Sequence, residues 1–445
     1  MFRMYLRLAA KSLRQRPGMS ALMVATVALG VAACVTVITI FNAMSADPIW
    51  WKSDRLYAVT LDSWDINEPA DRARPHLPPS RLTYRDAMYL LESNIPERRA
   101  VMYVARTSIL TSGIPGREPI AAEARFTSGD FFSMFDVPFR YGGGWSARDD
   151  RTLAPVIVLS ADVNDKLFGG ENSVGRTVRW NDREFRVVGV MDVWEPQPKF
   201  YDLNKGHFDM PEGAFIPLRW GPQLKVTSTA GSCWKPEKLD SYEDILGSEC
   251  VWLQMWVELP DAATRDRMQD LLDTYTAGQR KSGRFQRPQN NRLTSVPQWL
   301  IDQEVVQNDN RVLVGLAFAF LAVCLLNVVG LLLAKFLSAA KTIGIRRAVG
   351  ARKGQIFAQH FVEAAVIAVA GAAFGLGLSA LSLEALSAMY TVDEATRGGY
   401  RELLHFDVSS VIAAVALAAV ATFAAGFYPA WRASRLPPAV YLKSH

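Results

Sequence analysis

The sequence predicts a membrane protein in which four transmembrane α-helices carry an α+β extracytoplasmic domain of two subdomains. Three observations predict it. Uncharged apolar runs cover Met19–Ala46, Val312–Ala334, Ala364–Leu383 and Val408–Ala430, each at or above the roughly 20 residues that span a bilayer as a helix. None of them shows the polar stripe of an amphipathic surface helix. Between the first and second runs, Asp47 to Arg311 alternates strand-like and helix-like segments, while Lys and Arg crowd the opposite helix ends.

The first 18 residues place Phe2, Tyr5, Leu6, Leu8, Ala9 and Leu13 among Arg3, Arg7, Lys11, Arg14 and Arg16, with no acid. That pattern predicts a helix lying along the cytoplasmic interface, and Pro17 and Gly18 then turn the chain into the membrane. A cleaved signal peptide is the other reading of a basic start followed by an apolar run. The run of 28 residues from Met19 to Ala46 exceeds the roughly 7 to 15 of a signal h-region, so an uncleaved anchor is expected.

Orientation follows from cations near the helix ends. The loop "KTIGIRRAVGARKGQIF", Lys341 to Phe357, holds five cations and no acid, whereas Thr391 to Asp407 carries mixed charge. Both termini and the Lys341 loop are therefore expected in the cytoplasm of an inner (plasma) membrane protein. The expected organisation is an interfacial helix over 1–18, membrane helices over 19–46, 312–337, 357–389 and 408–430, an external domain over 47–311, a cytoplasmic loop over 338–356, an external loop over 390–407 and a tail over 431–445.

In the external domain, "RLYAVTLDS" reads as a strand, Ser80 to Asn94 as a helix and Ala100 to Leu110 as a strand. A second strand, helix, strand order follows in "VWLQMWVEL", "DAATRDRMQDLLDTY" and "NRLTSVPQWL". These two β-α-β pieces bracket a more strand-rich centre with "APVIVLS" and "VGRTVRWNDREFRVVGVM", whose "WNDREF" carries a turn signal. A smaller β-rich subdomain is expected at about 150–250, inserted into the first; residues 195 to 249 show no period.

Cys34 and Cys324 lie in apolar runs as small buried residues. Cys233 and Cys250 lie in the external domain, where an oxidising compartment would join them in a disulfide; free thiols are the alternative. The five histidines have no metal-ligand spacing, so no metal is expected.

The segment "FTSGDFFSMFDVPFRYGGGWSARDD…APVIVLSADVNDKLFGGENSVGRTVRWNDREFRVVGVM" resembles the periplasmic core domain of MacB-type and FtsX-type permeases of the ABC transporter superfamily. Phe131, Phe132, Gly142 to Gly144, Leu159, Ser160, Phe168, Gly169, Gly170, Gly175 and Val188 to Val190 carry that resemblance. The stretch from Asn327 to Ser379 is similar to the second helix, cytoplasmic loop and third helix of the family, and "GFYPAWRASRLPPAVYLKS" to its C-terminal signature. A porter-like β-α-β subdomain is part of what the resemblance implies.

The resemblance further implies a permease subunit of a type VII, mechanotransmitting ABC transporter, most simply an exporter of a periplasmic substrate. It implies a dimer with a second permease chain, identical or homologous, a cytoplasmic ATPase subunit, a periplasmic adaptor, and no catalytic residue here. No G-x-x-x-x-G-K-[ST] occurs in the sequence, so ATP and Mg are expected on the partner ATPase, and no nucleic acid is expected. The resemblance assigns ATPase coupling to Gly344, Ile345, Arg346, Arg347, Ala348, Gly350 and Ala351. Attraction to anionic lipid accounts for the cations alone but not for the apolar and glycine residues set among them. Thr342 stands where the family usually has a glutamate.

Gly371 and Gly375 make a G-x-x-x-G spacing for close helix packing, and Asn327 is expected to bond between helices. Glu363, at the start of the third helix, is expected near the cytoplasmic interface, paired or hydrated. Other readings are an FtsX-like regulator of a periplasmic enzyme, a lipoprotein-releasing permease, and a membrane sensor or scaffold without an ATPase.

Overall fold

The basic start folds as helix α1 (Phe2–Gln15), and after a break at Arg16 the first apolar run is α2 (Pro17–Ser45). The structure is a computed structural model; it describes residues 2–105, 108–116, 118–180, 183–203, 209, 211–228, 230–305, 308–390, 416, 426–432 and 434–435. One unit comprises Met1–Ser45 and Val306–His445, the other Ala46–Val305.

In chain order the second unit contains β1 (Leu56–Thr60), β2 (Leu82–Thr83), α3 (Tyr84–Leu91), β3 (Arg98–Val104), β4 (Ser108–Thr111), β5 (Ile120–Ala122), β6 (Ala124–Thr127), α4 (Asp130–Met134) and β7 (Phe139–Gly142). It continues with α5 (Ala147–Arg151), β8 (Val156–Leu159), α6 (Ala161–Phe168), β9 (Thr177–Trp180), β10 (Arg183–Met191), β11 (Ala214–Pro217), α7 (Trp220–Leu224) and α8 (Tyr242–Gly247). It closes with β12 (Val251–Glu258), α9 (Ala262–Lys281), β13 (Arg292–Ser295) and α10 (Val296–Asp302). Side-chain caps start several helices: Thr83, Ser146, Ser160 and Asp261 each accept a backbone N–H two or three residues into the helix.

The strands join in the order β13-β1-β12-β3-β6-β11-β8-β10-β9-β4-β5, with β2 on β12 and β7 on β10. Both faces of the central strands are covered. Along β3, Val101 and Tyr103 enter one core and Ala100 and Met102 the other; β8 divides Ile157 and Leu159 from Val156 and Val158 in the same way. The first core is roofed by α3, α6 and α9, the second by α4 and α10. A strand buried on both sides reads as an unbroken apolar run, and all eight residues of β12 are buried.

This sheet corrects the expected insertion at about 150–250. Strands β8 to β11 do not form a separate layer, since β11 pairs parallel with β6 and β6 pairs with β3. Strand β4, well before residue 150, pairs with β9 and β5. The physical reason is edge pairing: without β6, the long apolar β3 would present an open backbone edge. Two further segments differ. The strand expected over Ala100 to Leu110 divides into β3 and β4, and "VPQWL" is helix α10, where Pro297 supplies a preset φ and withdraws a ladder donor. The unperiodic stretch from 195 to 249 contributes β11, α7 and α8, and a Cys233–Cys250 disulfide ties it to the start of β12 beside the Ser232–Val251 bridge.

Two of the family-type glycines have a steric cause. Gly142 and Gly189 face each other in the β7–β10 pair, and a Cβ on Gly142 would meet the Val188 carbonyl oxygen at 2.2 Å.

Arg125 alternates with Ala124 and Phe126 on β6 and is wholly buried. Its Nε and Nη2 donate to Glu212 at 2.8 and 2.6 Å, and Nη2 also to Asp202 at 2.7 Å; Lys199 Nζ donates to Glu212 at 2.8 Å. Burial pushes both carboxyls up, but Arg125 and then Lys199 outweigh it and hold both below their usual range. Depressed carboxyls stabilise the fold above their unfolded pKa and lose that contribution as pH falls through the folded one. The thermal midpoint of the detergent-solubilised protein, followed by tryptophan emission, should therefore fall as pH drops below about 4. Arg125→Met, which leaves two buried carboxylates facing one lysine, should cost about 3–5 kcal/mol at neutral pH in the same assay.

Candidate functional site

The remaining helices of the first unit are α11 (Asn308–Ser338), α12 (Ala340–Ala348) and α13 (Lys353–Tyr390). Together with α2, α11 and α13 are the three helices among the described residues long and apolar enough to cross a membrane. Most of the fourth expected span, 408–430, and all of the loop 391–407 lie outside the described residues. Residues 426–432 are helical, and a Cβ on Gly426 would meet Ala364 Cβ at 2.8 Å.

Helix α12 turns Ala340, Ile343 and Gly344 into the bundle, leaving Ile345, Arg346 and Ala348 exposed and Arg347 half-buried. Arg346 and Arg347 occupy its last turn, where cations complement the helix dipole. The helix stops because Gly350 takes φ +108°, a conformation that L side chains rarely adopt. Gly350 N donates to Arg347 O at 3.1 Å and Ala351 N to Arg346 O at 3.0 Å, closing the turn. Arg346 Nη1 then donates to Gln359 Oε1 at 2.7 Å, fixing α12 against α13.

Beside this turn lies an apolar-walled groove of about 400 Å³. Met4, Tyr5 and Leu8 of α1 form one wall; Ile345, Arg346 and Val349 form the other, joined by Ala351, Gln355, Ile356 and Gln359. Val349 is 84% exposed and Ile345 49%. Of the seven residues assigned to coupling, the groove gathers Ile345, Arg346 and Ala351; Gly344 is buried behind it and Gly350 shapes its rim. Thr342 is exposed on α12, on the solvent side of buried Ile343. Sequence reasoning missed the contribution of α1, although Met4, Tyr5 and Leu8 share the one-turn spacing of a helix face.

Glu363 is 1% exposed and draws three helices together. Its Oε1 accepts from Ser12 Oγ of α1 at 2.6 Å and lies 2.6 Å from Lys335 Nζ of α11, while His360 Nδ1 is 3.5 Å from Oε2. The glycines of α13 differ in use. A Cβ on Gly371 would meet Val27 Cβ at 2.6 Å, and one on Gly375 the Ala28 carbonyl oxygen at 2.9 Å, so both admit α2; Gly377 has open space. Cys34 is buried and donates to Ala317 O at 3.2 Å. Asn327 lies on the exposed side of α11.

The sheet domain and the helical unit each match a known family. Residues 20–275 match the MacB-like periplasmic core domain, and residues 314–438 the FtsX-like permease C-terminal region. The chain belongs to the MacB/FtsX-type ABC transporter permease family. Similar proteins include the macrolide export ATP-binding/permease protein MacB of Neisseria gonorrhoeae, 26% identical over 311 residues covering 69% of this chain and 41% of that protein. MacB of Rhodospirillum rubrum is 25% identical over 448 residues, covering 99% of this chain and 60% of its own. The pyoverdine export ATP-binding/permease protein PvdT of Pseudomonas aeruginosa is 25% identical, covering 71% and 41%. The chain thus spans 41% to 60% of the length of these relatives.

In this MacB-like permease the Glu363 cluster is open to a direct stability test. Glu363→Ala leaves the Lys335 ammonium buried and unpaired and should cost about 3–5 kcal/mol in thermal unfolding in detergent. The double change Lys335→Met with Glu363→Met should recover most of that loss in the same measurement, because it removes both charges at similar volume.

Proposed function

We propose that this chain is the permease subunit of a mechanotransmitting exporter. A separate cytoplasmic ATPase subunit, which holds ATP and Mg, docks on the α1–α12 groove, and closure of the ATPases displaces α12. Both termini and the Gly350 turn lie in the cytoplasm in this reading, and the sheet domain acts outside the membrane on a periplasmic substrate, together with a second permease chain and an adaptor. The observation that carries it is the groove with its rigid Gly350 turn: Ile345 and Val349 stand exposed at a cation-rimmed corner whose angle the backbone fixes.

Transmission has a physical route. The Arg346–Gln359 bond ties α12 to α13, and Glu363 ties α13 to α11 and α1, so displacement of α12 is passed to three helices at once. The membrane helices offer few polar side chains for a hydrophilic path, which supports transmitted work over a threaded substrate. Export as the outcome is supported by relatives named for macrolide and pyoverdine export.

An affinity-tagged chain purified from its own cells' membranes should retain an ATP-binding subunit. Arg346→Glu combined with Arg347→Glu, and separately Gly350→Ala, should lower that retention about tenfold, as expected for losing about 1.4 kcal/mol at a docking site. Membrane levels of the chain should stay unchanged. Undiminished retention in both variants, or no ATP-binding partner at all, would overturn the reading.

A further inference from the structure

A cavity of about 440 Å³ opens on the sheet domain between α3 and α9. Its lining includes Arg85 and Tyr89 of α3, Tyr275, Gly278 and Gln279 of α9, and Arg284 just beyond α9. A volume of that size suits a small organic molecule. Two guanidiniums line it, and no carboxylate does.

The acids that balance these cations lie behind the lining and are already engaged. Asp86 is wholly buried and accepts from Arg284, Tyr275 Oη and Thr83 Oγ1. Glu249 accepts from Arg284 and Arg85, and Glu237 is held by Lys235 and by the Glu249 amide. Arg284 is saturated too, since its Nε, Nη1 and Nη2 make five hydrogen bonds to Asp86, Glu249 and Gln279, one for each N–H of a guanidinium. It builds the wall without offering a donor to the cavity. Arg85 differs: it gives a single bond, from Nη2 to Glu249 Oε1 at 2.6 Å, and 45% of its side chain is exposed. Gln279 accepts from Arg284 through Oε1, which leaves its amide NH2 as a second donor beside the cavity.

The other half of the cleft is apolar. Tyr89 is 50% exposed and stacks on Tyr275 with ring centroids 4.2 Å apart, and Tyr275 is anchored in turn by its bond to Asp86. Gly278 sits inside α9, where glycine is less favourable than alanine. A Cβ on it would meet nothing within 4 Å, so no packing in the described chain asks for the glycine, and its bare backbone keeps the cavity open at that point.

We propose that this cleft binds a small organic anion with a flat apolar body, its carboxylate taken by Arg85 and Gln279 and its body laid against Tyr89 and the Gly278 backbone. A guanidinium fork matches a carboxylate in two parallel bonds. A flat body gains contact with a ring that packing has already fixed, so little freedom is lost on binding. The proposal concerns binding to the sheet domain and holds whether or not the bound molecule is what the chain exports.

The test uses the full chain in lipid nanodiscs, with empty discs as the blank, and isothermal titration calorimetry with naphthoate as the probe. Saturable binding is expected, weakened about tenfold to a hundredfold by Arg85→Gln and about threefold to tenfold by Tyr89→Ala. Gly278→Leu should abolish binding while the thermal midpoint stays level or rises, because leucine is the better helix former; that variant separates a filled cleft from a failed fold. Naphthylmethanol, the ring without the charge, and acetate, the charge without the ring, should each bind at least about tenfold more weakly than naphthoate. Lack of saturable naphthoate binding up to millimolar concentration, or equal binding in Arg85→Gln and Gly278→Leu, would overturn the proposal. Naphthylmethanol binding as tightly as naphthoate would refute the anion, and acetate binding as tightly would refute the flat body.

Discussion

Hydrocarbon supplies no hydrogen bonds, and the helical unit is arranged around that fact. Thr26, Ser379 and Ser382 return their hydroxyls to carbonyls three or four residues earlier in their own helices, and Cys34 reaches Ala317 on a neighbour. Glu363 is the costly case. A lone carboxylate there would be worth several kcal/mol of penalty, and it is offset by drawing in Lys335 and Ser12. The same requirement brings α1 to α13 through Ser12, so the amphipathic first helix has a fixed partner as well as an apolar face. Its position sets one wall of the groove.

The external domain solves a related problem with burial on both faces of one sheet. Segments such as "APVIVLS" and "VWLQMWVEL" were legible as strands because β-branched and aromatic residues crowd them, and the two-sided burial explains why they lack polar alternation. Pairing was not legible. The neighbours of β6 are β3 and β11, separated from it by very different lengths of chain, and nothing in the local pattern of "ARFT" announces either. Arginine is ordinarily a surface residue, and Arg125 in that segment is wholly buried. Its two carboxylate partners lie 77 and 87 residues away, which is why a wholly buried ion cluster left no local trace.

The candidate site divides along the same line. Helix α12, its cations and its terminating Gly350 could be read from a contiguous stretch, with a family resemblance supplying their role. The opposite wall could not, because Tyr5 and Ile345 lie far apart in the chain and are brought together by the packing of α1 on α13, to which the Ser12–Glu363 bond contributes. Thr342, the most conspicuous departure in the stretch, proves to be an exposed position on α12.

Magnitudes decide which part of the proposed docking surface matters most. Exposed ion pairs contribute about 0–1 kcal/mol each and are weakened by salt. Fully covering Ile345 and Val349 would contribute about 1.5–3 kcal/mol apiece, and both are already held in place by a turn that only glycine closes without strain. Little conformational entropy then remains to be lost on docking. If an ATPase docks here as proposed, the cations would steer an acidic face toward the site while the apolar pair would hold it, so force would pass through Ile345 and Val349 rather than through the arginines that first draw the eye.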